Sequence, residues 1–438
     1  MKDWRLALMV GISILLNWAV FCVCVHAKEY SLDELYRIAF ERAEKIKLSV
    51  EDLNIAKTGK DRAFSYLLPR LSAFGSYTQY SAEKYNDTGT LLQPDNATTW
   101  GLRADESLTL NGRELTALGI SKDNIVKSQY DLYAIQEEYL LTVASSYYDV
   151  MKAKKAVEIA ESNLERLSKY RNAAEKRLKV GEVTKTVLLR AEGELSGARS
   201  DAIRAVNALE LTKAVLARIV GIEVGFQLKE EPPEEMEITP EHAFEEMAIS
   251  QRTDLKSLEV QKKMAEKQVE YAKGAFWPTV TASGVYASSD QSPLTQTLVR
   301  DSTYGLLSLN FPFFEGGLRR ADLKDARTRE RQSVLAYEDF KKSVLVDVQG
   351  AYLDLVTQKG TLKYLEDQVV YARDNFNAVA KQFEFGLAQS LDVMDANTLL
   401  VTAERNLSQA VYNYQLAILR MKRATGALLK AVMSDQRS

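Results

Sequence analysis

The amino-acid sequence holds one pattern written twice. Ala63, Pro69, Gly75 and Tyr77 recur at Ala272, Pro278, Gly284 and Tyr286, each 209 positions later. Further along, Trp100-Gly101-Leu102 corresponds to Tyr304-Gly305-Leu306, and Asn111-Gly112 to Glu315-Gly316. Tyr147-Tyr148-Asp149 then corresponds to Tyr352-Leu353-Asp354, Val180-Gly181 to Phe385-Gly386 and Gly221 to Gly426, all at an offset of 205. An ordered series of this kind marks an internal duplication, so the chain is read as two copies of one unit. The drift in offset puts a difference in loop length between the first two strands. Between the copies lies a charged, proline-bearing stretch, Lys229 to Glu235, followed by Pro240, which cannot continue a helix. The expected organisation is residues 1–27 as an export signal, 28–221 as the first copy, 222–245 as a connector, 246–426 as the second copy and 427–438 as a C-terminal tail.

Each copy predicts the same order: helix, strand, loop, strand, very long helix, short break, long helix. In the last helix Ala396, Ala403, Ala410, Ala417 and Ala424 recur every seven residues, with Leu400, Leu407, Tyr414 and Met421 as a second row. In the first copy the rows are Ala191, Ala198, Ala205, Thr212, Ile219 and Leu195, Ala202, Leu209, Leu216. A strict heptad keeps an apolar seam against a partner helix, and alanine lets the axes approach closely. The long helix from about Glu114 to Leu178 would reach ~95 Å at 1.5 Å per residue. Its other faces carry Lys, Glu, Arg and Gln and belong in water. Pro69, Pro278 and Pro312 fall at expected strand positions and Pro94 and Pro293 in the strand-strand loops. None falls in an expected helix, where it would cost about 3 kcal/mol.

Four segments alternate with period two. They are 71–81 and 100–110 in the first copy, and 279–289 and 304–313 in the second. Trp100, Leu102, Ala104, Leu108 and Leu110 share one face, with Glu106 the exception, and Leu307, Leu309, Phe311 and Phe313 share one face of the last strand. Alternating segments of about ten residues suit an outer-membrane barrel, although a water-soluble antiparallel sheet shows the same pattern. Four strands cannot close a channel-bearing barrel, and an open edge cannot be left in lipid. Closure through three chains would supply twelve strands and a ring of helices, which makes a homotrimer the expected assembly.

Little else is available for chemistry. Lys2 and Arg5 precede an apolar run from Leu6 to Val25, and Val25-His26-Ala27 places small residues at the -3 and -1 positions of a cleavage site. An uncleaved anchor is the alternative, because about 20 apolar residues also span a bilayer. Neither Cys22 nor Cys24 has the context expected for bacterial lipidation. Cleavage after Ala27 removes both cysteines and leaves His242 as the single histidine. No disulfide, no Cys/His metal site and no histidine-based triad is then expected. His242 itself reads as a surface residue at a helix start. The formal net charge of -3 argues against nucleic-acid binding, which needs a clustered positive surplus. No enzyme activity, catalytic residue, cofactor or metal is expected, though a carboxylate-only hydrolase stays formally open.

The duplicated unit behind an export signal resembles the TolC family of outer-membrane efflux proteins. The motifs that carry the resemblance are the strand entries at Pro69 and Pro278, the Phe-Glu-Gly-Gly turn at 314–317, and the two helix breaks at 177–184 and 383–390, the second followed by Leu-Asp-Val-Met-Asp-Ala at 391–396. The resemblance implies a mainly α fold with a β-barrel contribution: a trimeric twelve-stranded outer-membrane barrel and a periplasmic α-helical barrel. It also implies a passive exit duct for a tripartite efflux pump or type I secretion system. Its partners would be outer-membrane lipid, a periplasmic adaptor and an inner-membrane transporter. By the same resemblance Asp392 and Asp395 match aspartates that ring the periplasmic aperture in some members. Their spacing of three puts both carboxylates on one helical face; solvated acids near a helix start would read the same way. Ala388 stands where some members carry a basic residue that helps hold the aperture closed, so the lock uses other contacts or is looser. Val180, Gly181, Val183, Thr184, Phe385, Gly386, Leu387 and Ser390 are the expected adaptor-contacting tips. A periplasmic coiled-coil adaptor or a helical scaffold protein of an export system are the alternatives. The adaptor lacks a full-length duplication, and the scaffold does not need four alternating strands.

Overall fold

The computed structural model describes residues 28–295 and 298–435; the expected export signal lies outside them. The duplication is visible in the elements themselves. Helices α1 (Leu32–Arg42) and α2 (Glu44–Ser65) have 11 and 22 residues, as do α5 (Glu241–Gln251) and α6 (Thr253–Gly274). Helices α3 (Arg113–Lys179) and α7 (Leu318–Glu384) have 67 residues each, ~100 Å at 1.5 Å per residue. They are followed by α4 (Lys185–Val220) and α8 (Ser390–Ala424). A short helix, α9 (Leu428–Asp435), occupies what the sequence reads as a tail. The strands are β1 (Glu29–Tyr30), β2 (Arg70–Gln79), β3 (Lys84–Tyr85), β4 (Leu91–Gln93), β5 (Asn96–Thr109), β6 (Gln227–Leu228), β7 (Thr279–Ser292) and β8 (Asp301–Asn310).

Several boundaries differ from the expectation for physical reasons. The first helix of each copy is broken in two, at Ala43 and at Arg252, each with extended ψ. Helix α5 begins at Glu241, ahead of the expected copy start at 246, because Pro240 sits before a first turn that needs no N–H from it. Strand β8 ends at Asn310, so Pro312 lies beyond the ladder with Phe311 and Phe313. Pro69 and Pro278 likewise sit one residue before β2 and β7, where a missing N–H costs the ladder nothing. The loop between β2 and β5 is longer than that between β7 and β8, and it carries the β3–β4 hairpin.

The described chain forms two compact units. One holds residues 44–141, 237–356 and 419–435. Its centre is an antiparallel sheet in the order β2-β5-β7-β8. Register puts Leu71, Ala73, Trp100, Leu102, Leu108, Val280, Tyr286, Leu307 and Leu309 on one face. Trp100 and Tyr286 meet edge to face there at 5.9 Å. The opposite face is mixed: Arg103, Asp105, Ser107, Thr281, Ser283 and Ser308 stand there beside Phe74, Val285, Tyr304 and Leu306. Ser283 donates to Asp105 at 2.7 Å and Ser107 and Thr281 share a bond at 3.0 Å. Glu106 breaks the apolar face, as the sequence indicates, and its carboxylate is shielded without a partner among the described residues. Strands β2 and β8 each pair on one side only. Beside the sheet, Lys267 bonds Asp123 at 2.5 Å and the Arg113 guanidinium covers the Tyr271 ring. Arg252, 2 % exposed, bonds Asp254 and Asp347.

The other unit holds the chain up to Ala43 with residues 142–236 and 357–418. The alanine row of α8 is buried throughout this stretch, at Ala396, Ala403, Ala410 and Ala417. The connector is strapped across the helices by polar side chains. Tyr147 donates to the Lys229 carbonyl at 2.5 Å and Tyr412 to Glu230 at 3.1 Å. Gln415 pairs with both backbone groups of Glu234, and Lys359 reaches the Met236 carbonyl. Burial pushes the Tyr147, Tyr148 and Tyr412 hydroxyls well up from the ordinary tyrosine range, and Tyr147 and Tyr412 use theirs as neutral donors. His242, in the first turn of α5, is exposed as expected.

Candidate functional site at the helix turns

The site lies within the second unit described, where α3 turns into α4 and α7 into α8. Both turns are built by a glycine in the left-handed region, Gly181 at φ 79 and Gly386 at φ 76. Each closes its helix with the same pair of bonds. Glu182 N–H donates to the Arg177 carbonyl and Gly181 N–H to Leu178; Leu387 N–H donates to Gln382 and Gly386 N–H to Phe383. This six-to-one, five-to-two pattern satisfies the last carbonyls of a helix and favours a residue without Cβ at the left-handed position.

The turns leave apolar side chains in solvent. Phe385 and Leu387 are 78 % and 80 % exposed, and Val180 is exposed beside Gly181. Thr184 is exposed and Val183 half-buried. Ser390 departs from the expectation of a surface tip. It is buried, and its hydroxyl accepts from Tyr170 at 2.6 Å. Beneath the turns Leu167, Tyr170 and Ala174 of α3, Ala191, Leu195 and Ala198 of α4, Phe383 of α7 and Val393 and Met394 of α8 form one core. Alanine at the heptad positions lets the rings of Tyr170 and Phe383 lie 5.0 Å apart between the hairpins.

Polar links cross between the hairpins, among them the three described next and a longer ion pair of Arg405 with Asp201 at 4.0 Å, and sequence reasoning missed all of them. Arg177 lies over the Phe383 ring at 4.8 Å, donates to the Phe383 carbonyl at 2.5 Å and to Glu182 at 3.0 Å. Tyr170 and Ser390 make the second link. In the third, Asn397 donates to Asn163 at 2.8 Å and accepts from Arg166, while Arg166 and Arg373 both reach Glu404. The available signal was a difference between the copies: at an offset of 205, Arg177 corresponds to Gln382 and Tyr170 to Asn375. The duplication therefore does not repeat these bonds.

The two aspartates divide. Asp392 accepts the N–H of Gln389 at 2.8 Å, closing the first turn of α8. Asp395 is exposed one turn further on. Among the described residues no group of His, Cys, Asp and Glu is placed to hold a metal ion, and no helix is long and apolar enough to cross a membrane.

Residues 39–222 and 246–427 match the sequence profile of the family described as outer membrane efflux protein, once on each copy. The chain belongs to that family. It is 26% identical over 319 residues to the outer membrane protein TolC of Vibrio cholerae, covering 70% of this chain and 72% of that protein. It is 22% identical over 447 residues to the alkaline protease secretion protein AprF of Pseudomonas aeruginosa, covering 95% and 89%. Its fold matches the crystal structure of the outer membrane protein VceC from Vibrio cholerae with a TM-score of 0.78 at 18% identity, over 90% of this chain and 96% of that one. Outer membrane efflux proteins are transport proteins, and this chain is an outer-membrane channel, an exit duct for an efflux or secretion system. Its fold is mainly helical with a β contribution, as the sequence implies.

Proposed function

We propose that the duct forms from three copies of this chain, with twelve strands closing a barrel in the outer membrane and the long helices closing a periplasmic tunnel. The observation that carries this reading is the sheet with two open edges, β2 and β8. In a bilayer an unpaired strand edge leaves backbone groups unsatisfied at several kcal/mol each, so β2 of one copy must meet β8 of another. Exposed apolar residues on the helices, Ile203 and Leu211 of α4 and Tyr364 and Tyr371 of α7, support the same closure. The test is the mass of the protein extracted from outer membranes in detergent. A trimer is expected; a monomer or dimer in the soluble periplasm overturns the barrel.

The turns are the end that meets the rest of the export machine. Val180, Gly181, Val183, Thr184, Phe385, Gly386 and Leu387 form the docking surface for a periplasmic adaptor, through which an inner-membrane transporter delivers its cargo. Ser390 leaves this set because its side chain packs inward. Asp392 and Asp395 ring the aperture, and Arg177 takes over the holding role that Ala388 cannot supply. Leu387→Glu should abolish export while leaving the channel in the membrane. Export at the normal level in that variant would count against docking.

A further inference from the structure

The end of the sheet from which the helices leave carries a cluster that the duct itself does not use. Trp277 precedes β7, and Phe311, Phe313 and Phe314 follow β8; pairing of Thr279 with Asn310 brings the two segments to the same end. Phe313 and Phe314 are 90 % and 81 % exposed. Together with Phe276, Arg319 and Arg320 they wall an open cavity of about 260 Å³. Arg319 bonds Glu315 at 2.6 Å, with its guanidinium 6.0 Å from the centre of the Phe276 ring. Arg320 is exposed and has no hydrogen bond or ion pair among the described residues. Gly316 and Gly317, at φ 61 and 90, turn the chain so that the arginines follow the phenylalanines directly.

Each half of this cluster is costly in water. A fully exposed phenylalanine forgoes about 1.5–3 kcal/mol of burial. In the first turn of α7, which has no acid, Arg319 is balanced by Glu315 just ahead of the helix, but Arg320 faces the positive end of the helix dipole without a partner among the described residues. Both costs vanish at the boundary of a bilayer. Aromatic rings settle at headgroup level, and a guanidinium grips a phosphate with two parallel bonds. The apolar face of the sheet runs through Leu307 and Leu309 straight into the cluster. The turn itself does not require any of this. The first copy has Thr109 and Leu110 in place of the phenylalanines, and Glu114 and Leu115 in place of the arginines. Glu114 there is occupied with the backbone and hydroxyl of Thr109.

We infer that this cluster binds the phosphate headgroup of an anionic phospholipid in the periplasm-facing leaflet, with Arg320 on the phosphate and Phe313 and Phe314 at the acyl boundary. The inference rests on the placement of the sheet in the outer membrane. The experiment is native mass spectrometry of the detergent-extracted protein with added phosphatidylglycerol, after confirming that each variant reaches the outer-membrane fraction. Absence of the wild type from that fraction would fail the placement, separately from the lipid result. Arg320→Glu should retain at least about fivefold less phosphatidylglycerol per chain than the wild type. Arg329→Gln, on an exposed part of the same helix, should retain the wild-type amount. Glycerol phosphate, which has the charge without the acyl chains, should not displace the lipid. Equal retention by Arg320→Glu overturns the inference. So does displacement by glycerol phosphate, which marks a site for soluble anions. Loss of the oligomer in Arg320→Glu at unchanged retention overturns it too, since the cluster is then a contact between copies.

Discussion

Glu137 shows how much a single residue can carry without being part of any motif. It lies in the middle of α3, 5 % exposed, where its carboxylate accepts the N–H of Leu429 at the start of α9. Burial, with Asp254 adding to it, pushes its carboxyl up to about 7, while the Leu429 bond and the nearby Arg423 and Arg252 pull the other way. The proton is held more tightly in the folded chain than in the unfolded one. The ionised form is therefore a penalty that develops as pH rises from the ordinary carboxylate range through about 7. Gln keeps the acceptor and removes the charge. Glu137→Gln is thus expected to match the wild type near pH 4 and to exceed it above pH 8 by on the order of 2 kcal/mol, read as thermal unfolding against pH. Parallel pH curves for the two proteins would show that the carboxyl is solvated. Nothing in the sequence around Glu137 distinguishes it from the solvated glutamates of the same helix, because its burial depends on a segment almost 300 residues later.

At the scale of elements, most of the architecture was legible and the reasons are specific. Heptad rows predict the buried alanines of α8 because a coiled-coil seam depends only on local spacing. Gly181 and Gly386 mark the turns because a residue without Cβ takes the left-handed closing position at least cost. Strand ends were less legible: alternation continues through Phe311 and Phe313, but pairing stops at Asn310. The links between hairpins join residues more than 200 positions apart, so the differences between the copies at Arg177 and Tyr170 flag the positions but not their partners. Arg177 is the one nearest the turns, and it combines a charged hydrogen bond with a ring contact. Such bonds contribute about 1.5–3 kcal/mol and such contacts about 0.5–2 kcal/mol. Arg177→Gln installs the residue of the second copy and removes both. The expected result is a higher resting conductance in planar bilayers, with the oligomer intact. Conductance equal to that of the wild type would mean that Tyr170 and the Arg166 network hold the hairpins without it.

For the whole molecule, the question is whether the aspartates act on ions or only on their own helix. Asp392 already has a local role, as the acceptor for Gln389 N–H. That bond explains one acid near the helix start, but it does not account for Asp395, which is exposed one turn on. With three copies around an axis the two positions would set six carboxylates about one opening, enough to favour cations and repel anions. The double variant Asp392→Asn, Asp395→Asn separates the two roles, because an asparagine oxygen still accepts from Gln389 while the charge is lost. The helix start should survive, and the preference of the channel for cations should fall. The difference should be largest at low salt and shrink toward 1 M, where charges farther apart than about 3 Å are screened. A reversal potential that the double variant leaves unchanged at every salt concentration would place the aspartates away from the opening, as caps and solvated surface, and would move the search for the constriction to the apolar tips.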